Sequence, residues 1–66
     1  MPISLSQQIE EVKRELAIRK DVYARRVVGG KMRKGLADFH IDRMKAVLQT
    51  LMELEAARFR SASEGD

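Results

Sequence analysis

Apolar residues recur along the first half of the chain at the three- and four-residue intervals of an α-helix. They lie within about 60° of one another on a helical wheel and so form one narrow stripe: Leu5, Ile9, Val12, Leu16, Tyr23 and Val27. Ser4, followed three residues later by Gln7, matches the capping box that starts a helix. Gly29 fits the left-handed position that ends a helix, and Gly30 extends the break. The pattern predicts a first helix over residues 5–28.

The second half of the chain carries a wider apolar sector, which spans about 160° of the wheel. Its central positions are Ala37, Ile41, Met44, Leu48 and Leu51, and its flanking positions are Val47, Met52, Leu54 and Phe59. We predict a turn over residues 29–33 and a second helix over residues 34–60. The start of this helix is expected to fray, because it lacks a good N-cap and Gly35 weakens its first turn. The small, polar tail 61–66 is expected to be disordered.

Two helices of similar length joined by a short turn favour an antiparallel hairpin, so we predict an all-α fold in a single domain, residues 1–66. In this hairpin Leu16 lies level with Val47. A single neighbouring helix covers only about 100° of the wide sector, and Ile18 and Val22 lie nearly opposite the main stripe of the first helix. Both surpluses predict self-association in the manner of a coiled coil, most simply as a four-helix bundle of two hairpins, or as a higher oligomer.

Positive charge is concentrated around the predicted turn. Seven of the sixteen residues 19–34 are basic and only Asp21 opposes them, which gives this window a net charge of +6 in a chain of net charge +3. The basic residues are Arg19, Lys20, Arg25, Arg26, Lys31, Arg33 and Lys34. Some of these cations would simply complement the dipole of the first helix. For the cluster as a whole, an anionic partner is the favoured interpretation.

Polar residues of the two predicted helices face each other next to this basic window. Tyr23 lies level with His40, and Arg19 lies level with Arg43. One interpretation is a hydrogen-bonded Tyr–His pair in the core. The other is a nucleotide pocket, in which Tyr23 stacks on a base and arginines hold phosphate. Phe39 is expected to be exposed unless an oligomer covers it. The candidate ligand-binding residues are therefore Arg19, Tyr23, Arg26, Lys31, Arg33, His40 and Arg43.

The composition argues against several classes of protein. There is no Cys, which excludes disulfides and thiolate metal sites. The single histidine, His40, lies far from the serines of the terminal segments in the predicted hairpin, which disfavours a Ser–His–Asp triad. No apolar run approaches the roughly 20 residues of a membrane span. We therefore expect a cytoplasmic protein that is not an enzyme, needs no cofactor or metal, and does not act at a membrane.

Three segments resemble small uncharacterised helical-hairpin proteins of tailed phages and prophages. They are R-E-L-A-I-R-K-D-V-Y, V-V-G-G-K-M and A-D-F-H-I-D-R-M-K-A-V-L, and the resemblance covers most of the chain. In length, hairpin plan and basic pocket candidates the chain is also similar to the phage cyclic-oligonucleotide sponges, which is an analogy of architecture. The resemblance implies an anti-defence accessory protein that sequesters a nucleotide immune signal in the host cytoplasm without cleaving it.

Two other functions stay open. One is a nucleic-acid-binding or protein-blocking inhibitor, which presents the basic tip to DNA, RNA or an acidic protein face. The other is a purely structural oligomerisation module. The expected partners are further copies of the chain and an anionic ligand, such as a cyclic nucleotide or a nucleic acid.

Overall fold

The structure, a computed structural model, describes the backbone of residues 2–64 and the side chains of residues 2–61. This part of the chain contains two α-helices and no strand: α1 spans Leu5–Val28 and α2 spans Lys34–Glu64. The molecule measures 56 × 24 × 13 Å, so it is long and only about one helix thick in its smallest dimension. The predicted all-α hairpin is confirmed.

Contacts near both ends of the hairpin show that the helices run antiparallel. Ser6, at the start of α1, donates a hydrogen bond of 2.6 Å from its Oγ to Oε2 of Glu55 on α2. Near the turn, the ring centroids of Tyr23 and His40 are 6.2 Å apart. Both pairs agree with the predicted register. We call the end that holds the turn the tip and the opposite end the base.

The start of α1 is the predicted capping box. Ser4 is extended and its hydroxyl accepts a hydrogen bond of 3.1 Å from the backbone N–H of Gln7. The side chain of Gln7 accepts a bond of 2.8 Å from the backbone N–H of Ser4 in return. Two backbone donors that a helix start leaves without partners are thereby satisfied.

The end of α1 differs from the prediction in one residue. Gly29 has φ −78° and continues the helical turn, whereas Gly30 has φ +72° and is the left-handed residue. The N–H of Gly30 donates to the carbonyl of Val27 at 3.1 Å, and the N–H of Lys31 donates to the carbonyl of Arg26 at 2.8 Å. These two bonds define a Schellman motif, in which the left-handed residue stands one position beyond the helix cap. The assignment of the left-handed conformation to Gly29 was therefore wrong.

The second helix begins at Lys34, as predicted, without a capping side chain. The carbonyl of Arg33 accepts hydrogen bonds of 3.1 Å from the N–H groups of both Leu36 and Ala37. An ion pair of 3.0 Å between Lys34 and Asp38 also spans the first turn.

The end of α2 lies beyond the predicted end at residue 60. The helix continues to Glu64, so residues 61–64 are helical rather than disordered, and residues 65–66 lie outside the described part of the chain. After Gly35, no Gly or Pro occurs before position 65. Nothing in the sequence therefore breaks the helix at residue 60.

The core is a thin seam between the helices. Among the described residues only Ile9, Leu16 and Ala37 are buried, with 5–7% of their surface exposed. The other predicted core positions are half-buried: Leu5, Val12, Tyr23, Val27, Ile41, Met44, Leu48 and Leu51. The predicted flanking positions of α2 are exposed: Val47, Met52, Leu54 and Phe59. One hairpin thus leaves much of its apolar surface in water.

Within the described residues, neither helix contains a stretch long and apolar enough to cross a membrane.

Candidate functional site

The basic tip, which we define as residues 19–34, contains two kinds of cation. Three of them form ion pairs with a carboxylate one turn away on the same helix: Arg19 with Glu15 at 3.7 Å, Arg25 with Asp21 at 2.8 Å and Lys34 with Asp38 at 3.0 Å. All six side chains are substantially exposed, so each pair adds only a few tenths of a kcal/mol to helix stability. These pairs neutralise part of the tip.

The other four cations of the tip are exposed, and within residues 2–61 no carboxylate pairs with them: Lys20, Arg26, Lys31 and Arg33. The Schellman motif joins the backbones of Arg26 and Lys31, and the carbonyl of Arg33 begins α2 two residues later. Three uncompensated positive side chains therefore belong to one turn of eight residues, 26–33.

The helix dipoles do not create this positive charge. The negative end of α1 and the positive end of α2 meet at the tip, and their partial charges of about half a unit oppose each other. The electrostatic potential of the tip therefore comes from its Arg and Lys side chains. Replacing those side chains should change the potential directly.

An aromatic cluster lies next to the tip, where α1 and α2 face each other. The rings of Tyr23 and His40 have centroids 6.2 Å apart and an interplanar angle of 49°. Phe39 and His40 pack edge to face, with ring centroids 5.5 Å apart and an interplanar angle of 72°. The guanidinium carbon of Arg43 lies 4.0 Å from the centroid of Phe39, which is a cation–π contact. These four residues form a continuous row across the hairpin.

The contact between Tyr23 and His40 is made through the rings. Among the hydrogen bonds of the described residues, none joins the Tyr23 hydroxyl to the His40 ring. Both residues are half-buried. The arrangement thus differs from the hydrogen-bonded core pair that was one sequence interpretation, and it leaves the polar atoms of both rings available to a ligand or to water.

Phe39 was not among the candidate ligand residues, although the structure places it in the cluster. It is 46% exposed, in agreement with the expectation that a single hairpin does not cover it. The sequence signal was its spacing from Arg43, because residues four apart are neighbours on one face of a helix. Phe39 also offers its ring face to the Arg43 guanidinium.

The seven candidate residues fall into two groups. Arg26, Lys31 and Arg33 are exposed at the tip. The others lie at the level of the aromatic cluster or one turn from it: Arg19, Tyr23, His40 and Arg43. Tyr23 and Arg26 connect the groups, since residues three apart on a helix have Cβ atoms roughly 5–6 Å apart. Arg19 is partly occupied by its ion pair with Glu15.

Three open grooves on the surface lie away from these residues. They are lined in part by Val12 and Val47, by Leu5 and Phe59, and by Leu48 and Met52. None of these three grooves is lined by any of the seven candidate residues. At the tip, the exposed side chains of Arg26, Lys31 and Arg33 are accessible to phosphate oxygens.

Within the described residues there is no cluster of three His, Asp or Glu side chains arranged to hold a metal ion. Comparison of the chain with protein-family models, with curated proteins and with solved structures gives no match.

Proposed function

We propose that this protein is a non-enzymatic, self-associating binding protein for an anionic nucleotide. In this proposal it is a phage accessory protein that sequesters a nucleotide immune signal in the cytoplasm of the host cell. The observation that carries the proposal is the juxtaposition of uncompensated cations with exposed or half-buried rings at one end of the hairpin.

Each half of this juxtaposition matches one part of a nucleotide. Arginine binds phosphate through paired, charge-assisted hydrogen bonds, and Arg26 and Arg33 have no competing carboxylate within the described residues. The row of Tyr23, Phe39 and His40 offers ring edges and faces on which a base can stack. The Arg43 guanidinium, which already lies against Phe39, offers a further planar surface.

Self-association is part of the proposal, because one hairpin buries little of its apolar surface. Only three described residues are buried, and large apolar side chains on both flanks of α2 are exposed. A second hairpin that covers these flanks would provide the missing core.

A thermal-shift titration with chosen probes tests ligand binding. We would compare a cyclic dinucleotide, a cyclic trinucleotide, AMP and inorganic phosphate at equal concentration. A ligand at 100 times its Kd raises the free energy of unfolding by about 2.7 kcal/mol, which is a shift in Tm of roughly 10–20 °C for a chain of this size. Mass spectrometry of the ligand after denaturation should return it intact, because sequestration leaves it chemically unchanged.

A matched pair of charge-reversed variants locates the site. Arg26→Glu with Arg33→Glu removes two tip cations, whereas Lys13→Glu with Arg58→Glu makes the same change of charge toward the base. The tip variant should lose the thermal shift and the base variant should keep it. Equal loss in both variants would show that only net charge matters, and no loss in either would place the ligand elsewhere.

The exposed, unpaired cations among the described residues of the tip also support a second function, binding to the phosphate backbone of a nucleic acid. Arg26, Lys31 and Arg33 can each contact a phosphate, and three such contacts would give a salt slope of about −3 in log K against log salt. Gel shifts with duplex DNA and with RNA, read beside the nucleotide titration, separate the two functions. If neither nucleotide nor nucleic acid binds, a structural oligomerisation module or a protein inhibitor is the function that remains.

A further inference from the structure

We propose that Arg43 selects the base of the bound nucleotide, and that this base is guanine. The inference rests on the proposed function, because it assigns the ligand of that same site to a chemical class. The observation that carries it is the position of the Arg43 guanidinium, whose carbon lies 4.0 Å from the centroid of the Phe39 ring in the aromatic cluster. This contact places a side chain that can only donate hydrogen bonds beside the rings on which a base can stack.

The N–H donors of Arg43 have no protein partner among residues 2–61. The side chain is exposed, no carboxylate pairs with it, and its guanidinium makes no hydrogen bond in this part of the chain. An arginine that stacks on an aromatic ring still presents N–H donors in the plane of its guanidinium. Arg43 can therefore contact Phe39 and hydrogen-bond a ligand at the same time.

The position of Arg43 along α2 favours a contact with the base over a contact with phosphate. The last uncompensated cation of the tip, within the described residues, is Arg33. Arg43 lies ten residues further on, about 15 Å along the helix, and Phe39 and His40 lie between them in the sequence. A nucleotide whose phosphate lies at the tip and whose base lies at the rings would therefore bring its base next to Arg43.

Guanine presents the base edge that suits a side chain with donors alone. Its O6 and N7 atoms are two neighbouring acceptors, and arginine binds them through a pair of hydrogen bonds. The same edge of adenine combines the N7 acceptor with an amino donor, and cytosine presents an amino donor. An amino donor opposes the N–H groups of a guanidinium, so Arg43 favours guanine over adenine and cytosine.

The side chains that recognise adenine through a matched amide are engaged elsewhere in the hairpin. Asparagine and glutamine pair with adenine through one donor and one acceptor. The chain has no Asn, and each of its three glutamines makes a hydrogen bond away from the aromatic cluster: Gln7, Gln8 and Gln49. Within the cluster, Tyr23 and His40 can both donate and accept, so they can serve any base. Of the four residues of the cluster, Arg43 is therefore the one that can select the base.

Calorimetric titration with four cyclic dinucleotides tests which edge is recognised. They carry guanine, hypoxanthine, 7-deazaguanine or adenine on the same backbone; hypoxanthine keeps O6 and N7 but lacks the amino group of guanine, and 7-deazaguanine lacks N7. We expect the guanine and hypoxanthine compounds to bind within about twofold of each other and at least about fivefold more tightly than the adenine compound, because one bidentate pair discriminates bases by roughly fivefold to 150-fold. The 7-deazaguanine compound should lie between them. Any other ranking would overturn the assignment.

Two matched variants test the residue. Arg43→Lys keeps the charge but loses the planar pair of donors, and Arg58→Lys makes the same exchange at another exposed position of α2. We expect the ratio of guanine to adenine affinity to fall below about twofold in the first variant, because a lysine cannot form the bidentate pair. The second variant should keep the ratio of the wild-type protein. Far-UV circular dichroism on both variants reports whether the helices persist.

The outcomes separate this inference from the proposed function. If Arg43→Lys weakens the guanine and adenine compounds equally and keeps their ratio, Arg43 binds phosphate and its assignment to the base is wrong. Binding of all four compounds by the wild-type protein without a preference for guanine overturns the inference alone. Absence of binding to all four compounds overturns the proposed function and this inference with it.

Discussion

The two ends of the hairpin differ in the contacts that their polar and charged side chains make. At the base, α1 starts with a capping box and Ser6 of α1 is hydrogen-bonded to Glu55 of α2. At the tip, the chain reverses through two glycines, and four of the basic residues have no carboxylate partner among the described residues. The base therefore makes contacts that stabilise the fold, while the tip concentrates charge that the fold does not need. Charge that folding leaves uncompensated is available for binding.

The largest effect is expected from a charge placed in the thin core. Leu16→Asp should unfold the hairpin, because Leu16 is 7% exposed and an unpaired carboxylate there costs several kcal/mol. Thermal unfolding followed by circular dichroism measures the effect. Val28→Asp, at an 89% exposed position, is the control and should change the free energy of unfolding by less than about 1 kcal/mol. Similar melting of the two variants would show that Leu16 is not part of a core.

Substitution of Tyr23 distinguishes a ligand-binding role of the aromatic cluster from a role in the core. If the aromatic cluster binds the ligand, Tyr23→Ala and Arg19→Ala should each weaken nucleotide affinity at least tenfold and leave Tm within a few degrees. If the cluster serves as core, Tyr23→Ala should cost about 3 kcal/mol or more, as large aromatic truncations do, and Arg19→Ala should do little. Tyr23→Phe keeps the ring and is the control for both readouts. Full ligand affinity in both alanine variants would remove the cluster from the site.

Two glycines near the tip should respond in opposite directions to the same substitution. Gly30→Ala should destabilise the hairpin by about 1 kcal/mol, because Gly30 has φ +72° and Ala avoids that conformation. Gly35→Ala should stabilise it by up to about 1 kcal/mol, because Gly35 lies inside α2 and an added methyl group meets no atom within 4 Å. Chemical denaturation of the two variants measures both values. The same sign for both would contradict the turn geometry.

The smallest effect is expected at the base. Ser4→Ala removes the hydroxyl that accepts from Gln7, and it should cost about 1 kcal/mol. Hydrogen exchange of the first amides of α1 should accelerate, while exchange at the tip should stay unchanged. Uniform acceleration along α1 would show that the cap acts on the whole fold.

Local sequence signals predicted the helices because each signal acts within a few residues. Ser4 with Gln7 located the start of α1, and the apolar stripe identified Ile9 and Leu16 as residues that face the other helix. The wrong assignment at Gly29 arose because two adjacent glycines can each take the left-handed position. Only the hydrogen bonds of the folded turn distinguish them.

The candidate site was less predictable, because it depends on contacts between helices and on side-chain conformation. The hairpin register predicts that Tyr23 and His40 lie opposite each other, and the structure brings their rings together. The position of the Arg43 guanidinium over Phe39 depends on the rotamers of both side chains. Periodicity determines which residues share a face and leaves those rotamers open. Self-association and ligand binding stay predictions.

Fluorescence anisotropy with a labelled cyclic dinucleotide tests the claim that the basic tip binds an anionic nucleotide. We would measure the Kd of the wild-type protein, of Arg26→Glu with Arg33→Glu, and of Lys13→Glu with Arg58→Glu, at low and high salt. We expect the wild-type protein to bind, salt to weaken the binding, and only the tip variant to lose it. An affinity that is the same in all three proteins, or no binding by the wild-type protein at any salt concentration, would contradict the claim.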